Sequence, residues 1–530
     1  MAESGNQRVS ARATGVVGIA ILCSRILGLV REMIIAAMFG ASAYLDAFLT
    51  AFRAPNMLRD LFAEGALSTA FVTTFSKKIA SEGDESAWRL ANKVATLTVV
   101  FMSIVVLLGV LLAPLLVSLL APGFNPEKAE LTALLARVMY PFILLVSLAA
   151  LVMGMLNAKH VFGVPAMASS FFNLGSIVGG VSLAWWLDPT FGPRALVGLA
   201  IGTLLGGLLQ LVVQIPSLLK VGYVFHPDFA WRDKGVRKVL QLMGPAVIAA
   251  SAVQVNVLIN SIFASYLQDG AVSWLNIAFR LMQLPLGIFG VAVATVTLPL
   301  ISRSAAQGNM AEFRGALAHA LRLVMLLTIP SAVGLMIMAE PIISLLYERG
   351  RFDAAATIQT AGALRFYGIG LVGYSAVKVL APAFYALDRR NLPMIVSLCS
   401  IGLNAALNYV LTFRLGMGHR GLALSTSAIA ITNFLLLYGM MRHYAGKLET
   451  KTMFITLAKL LFASACLAAV CWVGMRFFFA SGVHLTFWRQ LTGVAVTIAT
   501  GTAVFFGSAY LLRVAELHDI VVVAQRKVRR

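Results

Sequence analysis

Apolar residues run along this chain in long blocks, broken by short stretches of charge, proline or glycine. A helix rises 1.5 Å per residue, so about 20 apolar residues cross the roughly 30 Å hydrocarbon core of a bilayer. About fourteen blocks meet that length, near 14–38, 43–76, 94–120, 130–157, 163–187, 195–219, 236–267, 271–302, 314–346, 355–387, 392–413, 421–441, 453–479 and 488–512. The pattern predicts an all-α integral membrane protein with about 14 transmembrane helices. The first block follows Arg8 and Arg12 like a secretory signal, but it continues past Arg25 without a clear cleavage site and reads as a retained helix. Composition agrees: of 530 residues, 59% are hydrophobic and 12% charged, with mean hydropathy +0.87.

A net charge of +20 raises nucleic acid as a partner. The placement of the basic residues gives another reason for it. With a cytoplasmic N-terminus, the loops on that side carry Lys77, Lys78, Lys159, Lys220, Arg237, Lys238, Arg303, Arg389, Arg390, Arg442 and others. The opposite loops carry few, among them Lys128, Arg194, Arg349 and Arg414. The ratio is roughly three to one, a positive-inside bias that places both termini in the cytoplasm. The charge then reports topology and attraction to membrane lipids, and no nucleic-acid partner is expected. Cys23, Cys399, Cys466 and Cys471 lie in apolar blocks without a CxxC or nearby histidine and serve as small hydrophobes.

Some cations lie inside the blocks. Arg137, Arg322, Arg365 and Lys459 are near block ends, where long side chains reach the headgroups. Arg25, Arg31, Arg59, Arg280 and Lys378 are deeper. A central arginine costs roughly 2.5–3.5 kcal/mol to insert, so four cost on the order of 10 kcal/mol unless water or an anion receives them. Glu32, Asp46, Asp60 and Glu64 offset part of this, all within the first two blocks. The excess of cations favours a hydrated cationic chamber, fed by both halves of the chain, over a set of closed ion pairs. Arg25 and Arg31 are about 120° apart around a regular helix, and Gly28 between them is a place for a bend. In the second block Arg53 and Arg59 flank Pro55, which removes a backbone donor and predicts a bent or broken helix lining a cavity.

Two weak internal matches have nearly the same offset: NAKHVFGVP at 157–165 with YALDRRNLP at 385–393, and EGALSTAFVTTFSKK at 64–78 with FGVAVATVTLPLISR at 289–303. They predict parallel six-helix halves, 1–222 and 223–450, with a site between them. Helices 13 and 14 then occupy 451–513, ahead of a basic cytoplasmic tail at 514–530. Gly175 with Gly179, and Gly202 with Gly206, have the GxxxG spacing of close helix packing. Asn256, Asn404 and Asn408 are polar residues in apolar helices, explained by interhelical hydrogen bonds or, alternatively, by an ion site. No HExxH, P-loop or Cys/His cluster appears, so neither an enzyme nor a resident metal or other cofactor is expected.

SRILGLVRE (24–32), FGASAYLDAFLTAFRAPNMLRDLFAEGALSTAFV (39–72), AVSWLNIAFRLMQLPLGIFGVAVATVTLP (271–299), ERGRFD (348–353) and VKVLAPAFYAL (377–387) resemble the signature segments of the MurJ/MviN family of lipid II flippases, in the MOP exporter superfamily. The likeness runs over essentially the whole chain. It implies two six-helix lobes around a cationic cavity, and a last helix pair forming a groove for a polyprenyl tail. It implies translocation of the undecaprenyl-pyrophosphate-linked peptidoglycan precursor, lipid II, to the outer leaflet of the bacterial cytoplasmic membrane by alternating access. Family residues map onto Arg25, Arg31, Arg59 and Arg280 as substrate-binding, with Ser24, Asp46, Glu64 and Lys378 supporting or gating. The family commonly has Asp before the arginine at 280, where this chain has Phe279, which puts a charge-pair gate there in doubt. Membrane potential or an ion gradient would drive the cycle, and cell-wall synthesis proteins are candidate partners beside lipid II. Two other readings, a flippase for another polyprenyl-linked saccharide and a MATE-like cation-coupled exporter, share the architecture. The second would want an acidic chamber, and this one is basic.

Overall fold

The computed structural model describes residues 2–479 and 486–518; the side chains of 2–14, 16, 63–66, 248–250, 252 and 253 lie outside that description. The described residues form helices and no strand. In order they are α1 (Ala2–Phe39), α2 (Ala43–Leu58), α3 (Ser68–Glu82), α4 (Asp84–Leu111), α5 (Ala113–Leu120), α6 (Pro126–Met139), α7 (Phe142–Ala158), α8 (Gly163–Leu187), α9 (Pro193–Val212), α10 (Ile215–Lys220), α11 (Lys234–Ser265), α12 (Ala271–Pro285), α13 (Val291–Ala306), α14 (Met310–Ile337), α15 (Ala339–Tyr347), α16 (Ala354–Ala386), α17 (Asn391–Tyr409), α18 (His419–Ala445), α19 (Thr450–Phe479) and α20 (Phe487–Leu511). All the apolar blocks are helical. Among the described residues, 11 helical runs are long and apolar enough to cross a membrane. The runs over α1, α2–α3 and α11 fall outside that set, and the first two hold the charges that opened the functional question. Proline explains several joints. Pro114 opens α5 after the break at Leu112, and Pro141 precedes α7, since proline fits a first turn and has no N–H to continue the preceding ladder.

The expected break at Pro55 takes a specific form. Backbone pairing between α2 and α3 shifts to a π-helical segment, Arg59–Leu67, rather than stopping. A second π segment, Leu286–Gly290, joins α12 to α13 directly after Pro285, and a third, Val410–Arg414, follows α17. A proline leaves one carbonyl without its donor, and a wider turn restores the ladder beyond it. The order proline, π turn, helix thus occurs twice, at Pro55 before α3 and at Pro285 before α13.

The chain divides into two compact units, Met1–Val272 and Ser273–Arg530. The first unit extends past the repeat boundary expected at 222, because α11 packs on the 59–67 segment and on α3. In the first unit α8 and α9 approach so closely that glycine is required. A Cβ on Gly202 would lie 2.2 Å from Gly180 Cα, and one on Gly198 would lie 2.4 Å from Ala184 N. The GxxxG reading thus holds and extends to Gly180 and Gly198. The second unit has an equivalent pair, where Gly370 and Gly373 of α16 meet Ser427 and Ala430 of α18. Its core gathers Leu321, Val324, Leu326, Phe384 and Phe505.

Two expectations from the sequence need correction. Arg322 is not a snorkelling residue: it is buried, and its guanidinium is bonded to Glu516 and, at 2.6 Å, to Glu449. The stretch beginning at 514 is not all free tail, since Val514, Glu516 and Leu517 are buried in the second unit. Residues 519–530 lie outside the described residues.

Candidate functional site

In the first unit, α1 runs as one α-helical element through SRILGLVRE and does not stop at Gly28. At Gly28 α1 packs beside the Asn173 amide of α8 with room for a Cβ, 3.6 Å from the nearest atom, and Asn173 Nδ2 donates to the Ser24 carbonyl at 3.1 Å. Ser24 thus meets α8 through its backbone carbonyl. The two arginines then diverge, as their spacing requires. Arg31 turns toward α8, its guanidinium 5.2 Å from the Phe172 ring centroid in a cation–π contact. Arg25 is exposed and makes no ion pair or hydrogen bond with a described residue.

Arg59 begins the π segment and is paired with its neighbour Asp60, Nη2 to Oδ1 at 2.9 Å. Its side chain keeps 23% exposure, so it remains accessible beside that carboxylate. Glu64 lies on the same π segment, and its side chain falls outside the described residues. Arg53 and Glu32 are half-buried.

Asp46 is in a different arrangement from the one expected. It is 1% exposed and accepts from Lys128 Nζ at 3.0 Å and from the Gly270 N–H at 2.8 Å. The same ammonium donates to Asp269 at 2.8 Å and lies 4.1 Å from the centre of the Phe124 ring. Asn125 caps α6 by accepting from Lys128 N. The loop 121–125 is tied to the end of α11 by Gly123 N–H donating to Ser265 Oγ at 3.0 Å. One cation and two carboxylates thus close this end of the unit. At its opposite end Lys93 pairs with Asp233 at 2.8 Å. Burial pushes the Asp233 carboxyl up, but Lys93 and the Gly235 and Val236 N–H groups outweigh it and hold the group below the usual carboxylate range.

In the second unit Arg280 of α12 is exposed, as is Lys378 of α16. Phe279, where the family's acid would stand, packs edge-on against Tyr367 and Tyr374 of α16, with ring centroids 5.3 and 6.4 Å away. The departure creates an aromatic cluster beside Arg280. Asn404 and Asn408 are buried on α17, and Asn408 Oδ1 accepts from Ser425 Oγ of α18. Asn256 is half-buried on α11 in the first unit. Among the described residues no group of three or more His, Cys, Asp or Glu is placed to hold a metal. Sequence reasoning missed Lys128, Phe172, Asn173 and Asp269. Only the Asn-Pro start of α6 hinted at the first, by marking a capped helix end beside it.

Two units of bundled helices, π turns at prolines, and cations on membrane-depth helices define a polytopic helical transporter. The fold is similar to that of an inward-facing MATE multidrug transporter of the MOP superfamily, with TM-score 0.66, covering 81% of this chain and 96% of that one, at 16% identity, a likeness of fold alone. A solved lipid II flippase MurJ in an inward closed conformation matches with TM-score 0.75 and 26% identity, covering 93% of this chain and 99% of that one. The family model for the lipid II flippase MurJ spans residues 35–492. The probable lipid II flippase of Vibrio cholerae is 37% identical over 464 residues, 85% of this chain and 86% of its own length. The lipid II flippase of Burkholderia cenocepacia is 38% identical over 424 residues, 79% and 81% of the two chains. This chain belongs to the MurJ lipid II flippase family.

Proposed function

We propose that the protein carries lipid II from the cytoplasmic to the outer leaflet of the bacterial inner membrane by alternating access. Arg25, Arg31, Arg59 and Arg280 are its pyrophosphate contacts. The observation that carries this reading is Arg25, exposed on an apolar helix with no acidic partner among the described residues. A guanidinium in that setting is stabilised by an anion, and its planar fork fits phosphate oxygens in pairs. Arg31 lies against the Phe172 ring and Arg59 beside the half-exposed Asp60 carboxylate, and a multiply charged pyrophosphate binds a guanidinium more strongly than an aromatic face does. The Phe279–Tyr367–Tyr374 cluster beside Arg280 and the exposed Lys378 of α16 receive the adjoining part of the headgroup. The Asp46–Lys128–Asp269 contacts act as a latch that opens and closes one end of the first unit during the cycle.

The polyprenyl tail travels along α19 and α20, which expose Phe462, Trp472, Val473 and Phe477 on the first and Val496 and Ile498 on the second. Both termini lie in the cytoplasm, in keeping with the distribution of basic loops. Membrane potential drives the return of the cationic site, at about 2.3 kcal/mol per charge for each 100 mV. The test is depletion of the protein followed by a leaflet assay: lipid II should accumulate on the cytoplasmic side, and a normal outer-leaflet supply would refute the proposal.

A further inference from the structure

Away from these arginines the first unit holds a cavity of about 760 Å³ beside α6. Glu127, Glu130, Leu134 and Arg137 line it, and their spacing puts all four on one face of the helix. Tyr44 of α2 and Pro114 of α5 also border it. The three charged side chains are exposed, and none makes an ion pair or side-chain hydrogen bond with a described residue.

Their order along the helix axis matters. From residue 138 to 158 there is no charged side chain, a length of about 30 Å that matches the hydrocarbon core. Arg137 therefore stands at the edge of the core, with Glu130 and Glu127 two and three turns further out. Helical side chains lean toward the helix N-terminus, so the guanidinium reaches outward toward the carboxylates. Pro114 on the cavity rim belongs to α5, whose Leu115 and Leu119 are more than half exposed, an apolar surface on the element that borders the cavity. A phospholipid has this order of chemistry: acyl chains, then a phosphate at the edge of the core, then the headgroup substituent outermost. An arginine fork suits the phosphate, and a pair of carboxylates suits a primary ammonium with its three donors. An anionic headgroup would meet the carboxylates with like charge.

We propose that this cavity binds an amine-bearing zwitterionic phospholipid of the phosphatidylethanolamine class, with the phosphate on Arg137 and the ammonium between Glu127 and Glu130. The transported lipid also offers phosphate to a guanidinium, so the experiment separates the two sources. Full-length protein in detergent is titrated by native mass spectrometry with dioctanoyl phosphatidylethanolamine, phosphatidylcholine and phosphatidylglycerol. Phosphatidylethanolamine should bind roughly tenfold tighter than phosphatidylcholine, which has no N–H donor. E127Q/E130Q should erase that preference while retaining binding, and R137Q should weaken all three lipids. Undecaprenyl pyrophosphate added as competitor should leave the bound phosphatidylethanolamine in place. Equal binding of the three lipids to the wild type, an unchanged preference in E127Q/E130Q, or displacement by undecaprenyl pyrophosphate would each overturn the proposal. Thermal unfolding without lipid, expected to be unchanged in these surface variants, excludes misfolding as the cause.

Discussion

Lys128 and Arg25 are both cations on helices of the first unit, and the protein treats them in opposite ways. Lys128 is buried and holds two carboxylates, Asp46 and Asp269. Arg25 is exposed, and no carboxylate among the described residues meets it. The second unit repeats the contrast, with Arg322 buried between Glu449 and Glu516 while Lys378 is exposed on α16 without a described partner. A cation that holds helices together is neutralised by the protein itself, because an uncompensated buried charge is severely destabilising. A cation reserved for a ligand is left accessible, and its desolvation is balanced only when the ligand arrives. On the proposed reading, the contrast separates Lys128 and Arg322, which hold helices together, from Arg25 and Lys378, which are left accessible to a ligand.

The largest effect should come from Arg25→Ala or Arg280→Ala. Each should lower flipping at least about tenfold, the worth of a lost charge-assisted bond, and abolish support of cell-wall synthesis. The melting temperature should stay unchanged, and complementation of a depleted strain reads the outcome. The opposite result is expected on the structural side of the contrast. Asp46→Ala leaves Lys128 buried with a single exposed carboxylate and should destabilise the fold by about 3 kcal/mol, seen as a lower melting temperature. Arg322→Met should do the same by stranding Glu516, which is 1% exposed. Gly202→Ala removes no charge but drives a Cβ into the α8 backbone, at a cost of about 1–3 kcal/mol by overpacking; chemical denaturation measures it.

The smallest effect concerns the half-exposed Lys93–Asp233 pair. The Asp233 pKa is lower in the folded protein than in the unfolded chain, so its contribution is present above the usual value near 4 and is lost as pH falls through the folded value. Being partly exposed, the pair contributes less than about 1 kcal/mol. Lys93→Met should therefore lower the melting temperature slightly at pH 7 and leave it equal to wild type below the lowered pKa.

The apolar blocks, the deep arginines and the GxxxG contacts were legible because each is a local pattern: a run, a charge within a run, a four-residue spacing. Pro55 announced an interruption, but only the backbone shows that the ladder widens into a π turn rather than breaking. Gly28 read as a hinge because glycine bends helices; the helix runs on through it, packed beside Asn173. Lys128 read as a loop charge and Arg322 as a snorkelling one because their partners are distant in sequence, 82 and 141 residues away for Lys128, 127 and 194 for Arg322. No periodicity reports such pairs. Phe279 raised a doubt from sequence, and the structure gives it neighbours, Tyr367 and Tyr374, which α16 brings to it from some ninety residues on.

The most direct measurement is the affinity of purified protein for undecaprenyl pyrophosphate in three forms: wild type, Arg25→Ala and Lys128→Met. Arg25→Ala should bind at least about tenfold more weakly at an unchanged melting temperature, whereas Lys128→Met should melt earlier yet bind like wild type while folded. Wild-type affinity in Arg25→Ala would contradict the assignment of that arginine to the pyrophosphate.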